Sequence, residues 1–150
     1  MDLFRLHRDE PKSWTVMPLL LDRIRDFCLR MDTDTEPEEA ASCIRAWFIM
    51  GDPKLGLWIS TEDSKIIGHL WATPEPIGAE QWKYVLIRQA EVDRGYNTMP
   101  ITEQAFQQVI DWTKSIGLKK VRMITHRNWR SMRRRWGFEP FKIMMDLDFK

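Results

Sequence analysis

The chain has 150 residues and a formal net charge of +1, with 43% hydrophobic and 30% charged residues. This length and composition predict one globular domain over residues 1–150 and exclude a disordered protein. No run approaches the roughly 20 apolar residues that a membrane span needs, and charged residues interrupt the N-terminus. We therefore expect a cytoplasmic protein that does not associate with a membrane.

The charge is distributed unevenly along the chain. Residues 1–111 carry 12 Lys and Arg against 19 Asp and Glu, a net −7, whereas residues 112–150 carry 11 against 3, a net +8. The basic C-terminal part favours an anionic ligand, such as a phosphorylated cofactor or a nucleic acid. Cys28 and Cys43 lie among apolar residues, without a CxxC pair or clustered histidines. We expect both to be reduced, with neither a disulfide nor a metal site.

The first third of the chain predicts one strand and two helices. Residues 2–7 alternate polar and apolar side chains, as a strand does. Thr35 and Glu38 have the spacing of a capping box at the start of the second helix, and Gly51 marks its end. The apolar stripe of the first helix consists of Met17, Leu20, Leu21, Ile24, Phe27, Cys28 and Met31.

The middle of the chain predicts three strands, over residues 55–60, 65–72 and 82–92. The first two are joined by a short polar hairpin loop over 61–64, and a loop rich in proline over 73–81 precedes the third.

The remaining elements complete an alternating pattern. A polar loop over 93–99 precedes a third helix, and Gly117 lies where its C-cap belongs. A strand over 119–125, a short basic helix over 128–135 and a closing strand over 141–149 follow. The order β-α-α-β-β-β-α-β-α-β predicts an α/β (α+β) domain, in which a mixed central sheet carries helices on both faces.

The junction between the third long strand and the third helix is a candidate phosphate site. A helix N-terminus exposes unpaired backbone N–H groups and the positive end of the helix dipole, both of which favour a bound phosphate.

The chain from Trp82 to Phe149 resembles the GNAT superfamily of N-acetyltransferases. The resemblance rests on the long strand ending at Val92, the helix that ends in DWTKSIG at 111–117, the strand LKKVRMIT at 118–125, and the segment RRRWGF at 133–138. It implies a GNAT-like fold, acetyl-CoA as cosubstrate and transfer of an acetyl group to an amine.

The resemblance also implies a pyrophosphate-binding loop. The family signature is (Gln/Arg)-x-x-Gly-x-(Gly/Ala), and counting from Val92 and back from Gly117 places it on one six-residue segment. Pro100 replaces its first glycine and removes one N–H donor, while a proline is tolerated in a first helical turn. The six positions, predicted to bind the cofactor, are Asn97, Thr98, Met99, Pro100, Ile101 and Thr102.

Other functional residues follow from the same resemblance. It implies that the backbones of Ala90 and Val92 align the pantetheine arm and that Glu91 is the base that accepts the amine proton. It implies cofactor contacts from Asn128 and from Arg133, which stands where the family has a tyrosine that protonates the leaving thiolate.

Tyr96 and Ser131 are alternatives for the acid that protonates the leaving thiolate. His126 is an alternative for the base that accepts the amine proton. His69 is expected to be a packed sheet residue.

Three functions remain open from the sequence. The leading hypothesis is an acetyl-CoA-dependent N-acetyltransferase in which a primary amine, on a small molecule or a protein, attacks directly in a ternary complex. The alternative is a catalytically inactive GNAT-fold module whose arginines 127, 130 and 133–135 bind a protein or a nucleic acid. A third is an acyltransferase that uses a longer acyl chain. The sequence leaves the oligomeric state open.

Overall fold

The fold is described from a computed structural model of the chain. The structure describes residues 1–31, 33, 35–51, 55–76, 80–96, 99–124 and 129–140. In chain order the elements are β1 (Asp2–Arg5), α1 (Pro11–Arg30), α2 (Pro37–Met50), β2 (Gly56–Glu62), β3 (Lys65–Glu75), β4 (Tyr84–Val92), α3 (Met99–Ser115), β5 (Val121–Met123) and α4 (Trp129–Trp136). This order confirms the predicted succession of elements through the basic helix, and the predicted closing strand over 141–149 lies outside the described residues.

The sheet is mixed, as predicted. Its strands lie in the order β1-β2-β3-β4-β5, and the first four pair antiparallel with their neighbours. β4 and β5 run parallel and pair only over Val85–Ile87 in the described part of the chain.

Helices cover both faces of the sheet. α1 and α2 pack on one face, against Leu57, Ile59 and Trp71. α3 and α4 pack on the other face, where the sheet contributes Trp58 and Leu70 among others. Each fully buried aliphatic side chain stabilises the fold by about 2 kcal/mol relative to an exposed one. The two apolar clusters therefore hold the sheet between two helical layers.

Several local predictions are confirmed. The buried members of the α1 stripe are Met17, Leu20, Leu21, Ile24 and Cys28. Gly51 adopts a left-handed conformation at the end of α2, with φ 63°. Gly117, with φ 81°, closes α3, and the Leu118 N–H donates to the Thr113 carbonyl at 3.0 Å, which is the Schellman pattern.

The predicted capping box at the second helix is wrong. Glu36 rather than Thr35 is the N-cap, and its side chain accepts no hydrogen bond from the N–H groups of the first turn. Pro37 occupies the first turn, and a proline restricts the residue before it to an extended conformation, which Glu36 adopts with ψ 144°. The proline therefore determines the helix start.

The predicted strand limits also need correction. The hairpin loop is two residues long rather than four, because Asp63 and Ser64 both have positive φ and form the tight turn that matches strand twist. β3 continues to Glu75, three residues into the predicted loop over 73–81. β5 ends at Met123, so the predicted strand over 119–125 is too long.

Candidate functional site

A β-bulge at the C-terminal half of β4 creates the candidate site. Trp71 of β3 pairs with Gln89 while the next residue, Ala72, pairs with Ile87, so Arg88 is an extra residue on β4. A bulge of one residue reverses which side chains face each side of the sheet beyond it. Gln89 therefore faces α1, where its Nε2 donates to Cys28 Sγ at 3.3 Å.

The bulge also exposes backbone groups at the edge of β4. The Asp93 N–H donates to the Ile67 carbonyl of β3 at 2.7 Å. Because backbone groups alternate along a strand, those of Glu91 also face β3, and those of Ala90 and Val92 face the opposite edge. β5 pairs with β4 only as far as Ile87 among the described residues, so the two strands separate before Ala90.

The first turn of α3 lies beside this edge. α3 begins at Met99, so Pro100 is in the first turn, as predicted, and its missing N–H leaves the Met99 and Ile101 amides as donors there. Ile101 is 3% exposed and anchors the turn against the sheet. The helix dipole adds a positive partial charge at this end.

An open apolar cleft separates α3 from the sheet. It has a volume of about 540 Å³, its open mouth included. Strand and helix residues line it together: Trp58, Leu70, Ala90, Val92, Ile101 and Phe106. The structure therefore brings the end of β4 and the start of α3 to one cleft.

The Glu91 side chain lies on the other face of the sheet, beside α1. Its Oε1 accepts a hydrogen bond from Arg30 Nη2 at 2.6 Å, and its Oε2 lies 3.7 Å from Arg23 Nη2. Arg23 also forms a 2.9 Å ion pair with Asp93. The hydrogen bonds that Arg30 donates, to Asp26 first and to Glu91 second, raise the pKa of its guanidinium. The carboxylate is 20% exposed, so it is held in place and still reaches solvent.

His69 lies directly opposite Glu91 in the β3–β4 ladder. Its side chain is fully buried, and Nε2 is 2.9 Å from Gln89 Oε1. Burial lowers the pKa of His69 to about 4, against smaller raising effects of Gln89 and Glu91. The imidazole is therefore neutral near pH 7. The prediction of a packed, hydrogen-bonded sheet residue is confirmed.

The predicted catalytic and cofactor residues do not all reach the cleft. Those that line it are Ala90, Glu91 and Val92 of β4 and Ile101 and Thr102 of α3. Pro100 is exposed at the helix start.

Arg133 lies on α4, outside this lining, where it forms a 2.9 Å ion pair with Glu139. For Met99 the structure describes the helical backbone only. Asn97, Thr98 and Asn128, like His126, lie outside the described residues.

Sequence reasoning missed the partners of Glu91. Arg30 and Glu91 are 61 residues apart, and His69 and Gln89 are 20 apart, so no local spacing connects them. The arginines of α1 follow a helical repeat that is also expected for a solvated surface. Only the pairing of β3 with β4, and the packing of α1 on both, brings them together.

This architecture defines a class. The chain has the GNAT-type acetyltransferase fold. Its antiparallel strands are followed by a parallel β4–β5 pair that separates, and α3 begins beside that pair. No family model matches the chain, and its sequence matches no curated protein.

Solved structures share this fold at low sequence identity. A predicted acetyltransferase with acetyl-CoA from Clostridium acetobutylicum is similar with a TM-score of 0.70 and 14% identity, over 98% of this chain and 95% of that chain. An aminoglycoside N-acetyltransferase in complex with CoA is similar with a TM-score of 0.61 and 14% identity, over 99% of both chains. A Trypanosoma brucei acetyltransferase has a TM-score of 0.64 and 14% identity, over 99% of both.

No helix in the described part of the chain combines the length and the apolar character needed to cross a bilayer.

Proposed function

We propose that this chain is an acetyl-CoA-dependent N-acetyltransferase of the cytoplasm. It transfers an acetyl group to a primary amine on a small molecule or a protein, by direct attack in a ternary complex. The observation that carries the proposal is the backbone edge of Ala90 and Val92 that faces away from β3, with which no described strand pairs, beside the first turn of α3. The fold is shared with proteins whose structures contain acetyl-CoA or CoA.

The edge of β4 fits the pantetheine arm. That arm carries two amides, and a strand edge with unpaired N–H and C=O groups offers the partners that amides need. Ala90 and Val92 supply these groups. Their side chains line the apolar cleft and do not cover the backbone groups at the strand edge. When bound, acetyl-CoA supplies an activated thioester carbonyl to the amine.

The start of α3 fits a pyrophosphate, with one donor fewer than a loop without proline would give. The Met99 and Ile101 amides and the helix dipole favour an anion there. Arg94 is exposed in the preceding turn and can add a charge-assisted contact. The residue set therefore accommodates the group, with weaker backbone support than a full set of amides.

Glu91 is proposed as the base. An amine must be neutral to attack, so a carboxylate near the attacking nitrogen is needed to accept its proton. Glu91 follows Ala90, the residue that would hold the arm, and its Oε2 is not hydrogen-bonded by either arginine. An amine acceptor is further supported by the aminoglycoside N-acetyltransferase among the structural neighbours.

The test has two arms. Calorimetric titration with acetyl-CoA and CoA should give micromolar binding, and a panel of primary amines should then identify an acceptor by release of free thiol. Glu91→Gln should lower kcat by about 10²-fold while acetyl-CoA still binds, because a general base contributes that order of rate. Glu103→Gln, an exposed carboxylate on α3, is the matched control and should change neither. An absence of heat at millimolar acetyl-CoA would refute the proposal.

An inactive binding module is the second candidate, because α4 is strongly basic. Arg130, Arg133, Arg134 and Arg135 are all exposed on this one short helix. If they bind nucleic acid, affinity should fall steeply with salt and with Arg134→Ala. Binding to nucleic acid together with no binding of acetyl-CoA would favour this candidate.

A further inference from the structure

Part of the sheet face that carries α1 and α2 lies outside the apolar cluster beneath these helices. That cluster draws its sheet residues from β1, β2 and β3, and no described residue of β4 or β5 belongs to it. Val85 and Ile87 of β4 belong to the opposite cluster, beneath α3 and α4. Because side chains alternate along a strand, Tyr84 and Leu86 face the α1 and α2 side, where both are partly exposed.

The same surface continues onto β5 and β3. Leu86 pairs with Arg122 of β5, whose guanidinium carbon lies 4.1 Å from the centroid of the Tyr84 ring. Tyr84 pairs with Glu75 of β3 on its other side. We name this surface the open face, and its partly exposed residues are Glu75, Tyr84, Leu86, Arg88 and Arg122.

Arg88, the extra residue of the β4 bulge, is fixed in position on the open face. Its Nε donates to Thr73 Oγ1 at 2.8 Å, and its Nη2 donates to Glu75 Oε1. Thr73 Oγ1 in turn donates to the same carboxylate oxygen at 3.1 Å. The guanidinium carbon lies 5.5 Å from the centroid of the Trp71 ring. These contacts orient the guanidinium before any ligand arrives, which reduces the entropy that binding costs.

One nitrogen of this guanidinium is available to a ligand. Nη1 of Arg88 has no hydrogen bond to any residue that the structure describes, and the side chain is 23% exposed. Two arginines and one glutamate give the open face a net charge of +1. A guanidinium binds a carboxylate or a phosphate by charge-assisted hydrogen bonds. The open face therefore favours an anionic group.

The open face lies next to the place where the acceptor would react. The pantetheine arm would run from the start of α3 along Val92 to Ala90, so its thioester comes beside the bulge that contains Arg88. The Glu91 side chain lies on the α1 side of the sheet, which is also the side of the open face. An amine that approaches the thioester from this side passes the open face.

The two ends of this approach have opposite charge. Around Glu91, three carboxylates accompany two arginines, a net −1, and the set consists of Asp26, Glu91, Asp93, Arg23 and Arg30. The open face has the net charge of +1 given above. An acceptor with an ammonium group at the first end and a carboxylate at the second meets the opposite charge at both.

The spacing of the two ends sets the length of the acceptor. His69 pairs with Glu91, and Thr73, which binds Arg88, lies four positions further along β3. A strand rises about 3.3 Å per residue, so the two levels are about 13 Å apart. A contact of about 3 Å at the arginine leaves roughly 10 Å between the nitrogen and the carboxylate. About three residues of an extended peptide span that distance.

We propose that the open face recognises an acidic group of the acceptor, with Arg88 as the specificity-determining residue. This rests on the proposed function. The acceptor is an amine with a carboxylate roughly 10 Å from its nitrogen, the spacing in a peptide that has a free amino terminus and an acidic third residue. Arg88 Nη1 donates to the carboxylate, Arg122 adds a second positive charge, and Leu86 contacts the acceptor between its charged groups.

Two pairs of acceptors test the inference with the full chain and acetyl-CoA, by release of free thiol. The first pair is the amidated peptides Ala-Ala-Glu-Ala and Ala-Ala-Gln-Ala, and the second is ω-aminooctanoate and octylamine. We expect kcat/KM at least about tenfold higher for the acidic member, through KM, because a hydrogen bond to a charged group is of that order. The pair that shows the preference distinguishes a peptide from a small amino carboxylate. Equal kcat/KM within both pairs would overturn the inference and leave the proposed function standing.

Substitutions at Arg88 assign the preference to this side chain. Arg88→Gln should abolish it by raising KM for the acidic acceptor, with kcat and acetyl-CoA affinity unchanged. Arg88→Lys keeps the charge without the fork and should restore part of the preference. Arg45→Gln, at an exposed arginine of α2, is the matched control and should behave as wild type. Urea unfolding checks that each variant folds. Arg122→Gln, which leaves the contacts of Arg88 intact, should lower the preference by a smaller factor. A preference unchanged in both Arg88→Gln and Arg122→Gln would refute the proposal.

Two further measurements separate the remaining outcomes. Sedimentation of wild type and Arg88→Gln shows whether a second copy covers the open face. A dimer that dissociates in the variant, without any acceptor preference in wild type, would overturn the inference. A failure of wild type to bind acetyl-CoA would refute the proposed function instead. Calorimetric titration of the chain with the two peptides would then still measure recognition of the acidic group, and equal affinities for both would overturn it.

Discussion

Acidification should destabilise this protein through His69 before its carboxylates titrate. The ordinary pKa of histidine is 6.5, and burial lowers the pKa of His69 to about 4 in the fold. Between these values the unfolded chain binds a proton that the folded chain does not. The unfolded state then holds more protons, so the free energy of unfolding falls as the pH falls through this window.

The size of the effect follows from the two pKa values. Integrating the linkage relation from pH 7 to pH 5 gives a loss of about 2 kcal/mol from this one side chain. Aspartate and glutamate have ordinary pKa values near 4, so most of their protonation lies below this range. A drop of about 2 kcal/mol is a large part of the 5–15 kcal/mol that stabilises a typical domain.

Urea unfolding, followed by tryptophan fluorescence, measures this loss. The free energy of unfolding of wild type should fall by about 2 kcal/mol more between pH 7 and pH 5 than that of His69→Gln. His7→Gln, at an exposed histidine, is the matched control and should behave as wild type. Equal pH slopes in wild type and His69→Gln would show that His69 titrates normally in the fold, and the reasoning would be refuted.

Three further predictions rest on single contacts. Gly68→Ala should lower the free energy of unfolding by about 1–3 kcal/mol in urea, because its Cβ would lie 2.5 Å from Ser60 Oγ and cannot be accommodated without a shift; no change would contradict the packing. Pro100→Ala should restore an N–H at the start of α3 and tighten acetyl-CoA binding about tenfold by calorimetry, whereas unchanged affinity would place the phosphate elsewhere. Gln108→Leu should cost about 1–3 kcal/mol in thermal unfolding, because the Trp58 Nε1–H loses its 2.9 Å acceptor; a neutral effect would mean that water replaces it.

Much of the fold could be predicted because its signals are local. Helical stripes such as the one through Leu20 and Ile24 reflect a 3.6-residue period, and Gly117 reflects the left-handed residue that closes a helix. The prediction of a capping box is wrong because two local signals competed. The ring of Pro37 restricts the backbone of Glu36, and this restriction determines the helix start more strongly than a cap hydrogen bond to the Thr35 hydroxyl would.

The candidate site was predictable in its backbone and not in its side chains. The ends of β4 and α3 are fixed by element order, so Ala90, Val92 and Ile101 reach one cleft. The surroundings of Glu91 depend on α1 packing across the sheet, and its pairing with Arg30 spans 61 residues. Such a contact follows from tertiary packing, which no spacing in the sequence encodes.

The bulge at Arg88 makes the site depend on the pairing register of β4 as well as on the identity of its residues. If β4 kept Arg88 and paired regularly with β3 along its whole length, Gln89 and Glu91 would turn to the α3 face, away from His69 and from the arginines of α1. Ala90 and Val92 would turn their backbone groups towards β3. A slip of one residue in this pairing would thus separate the candidate base from its partners and close the edge that faces away from β3 in a single step.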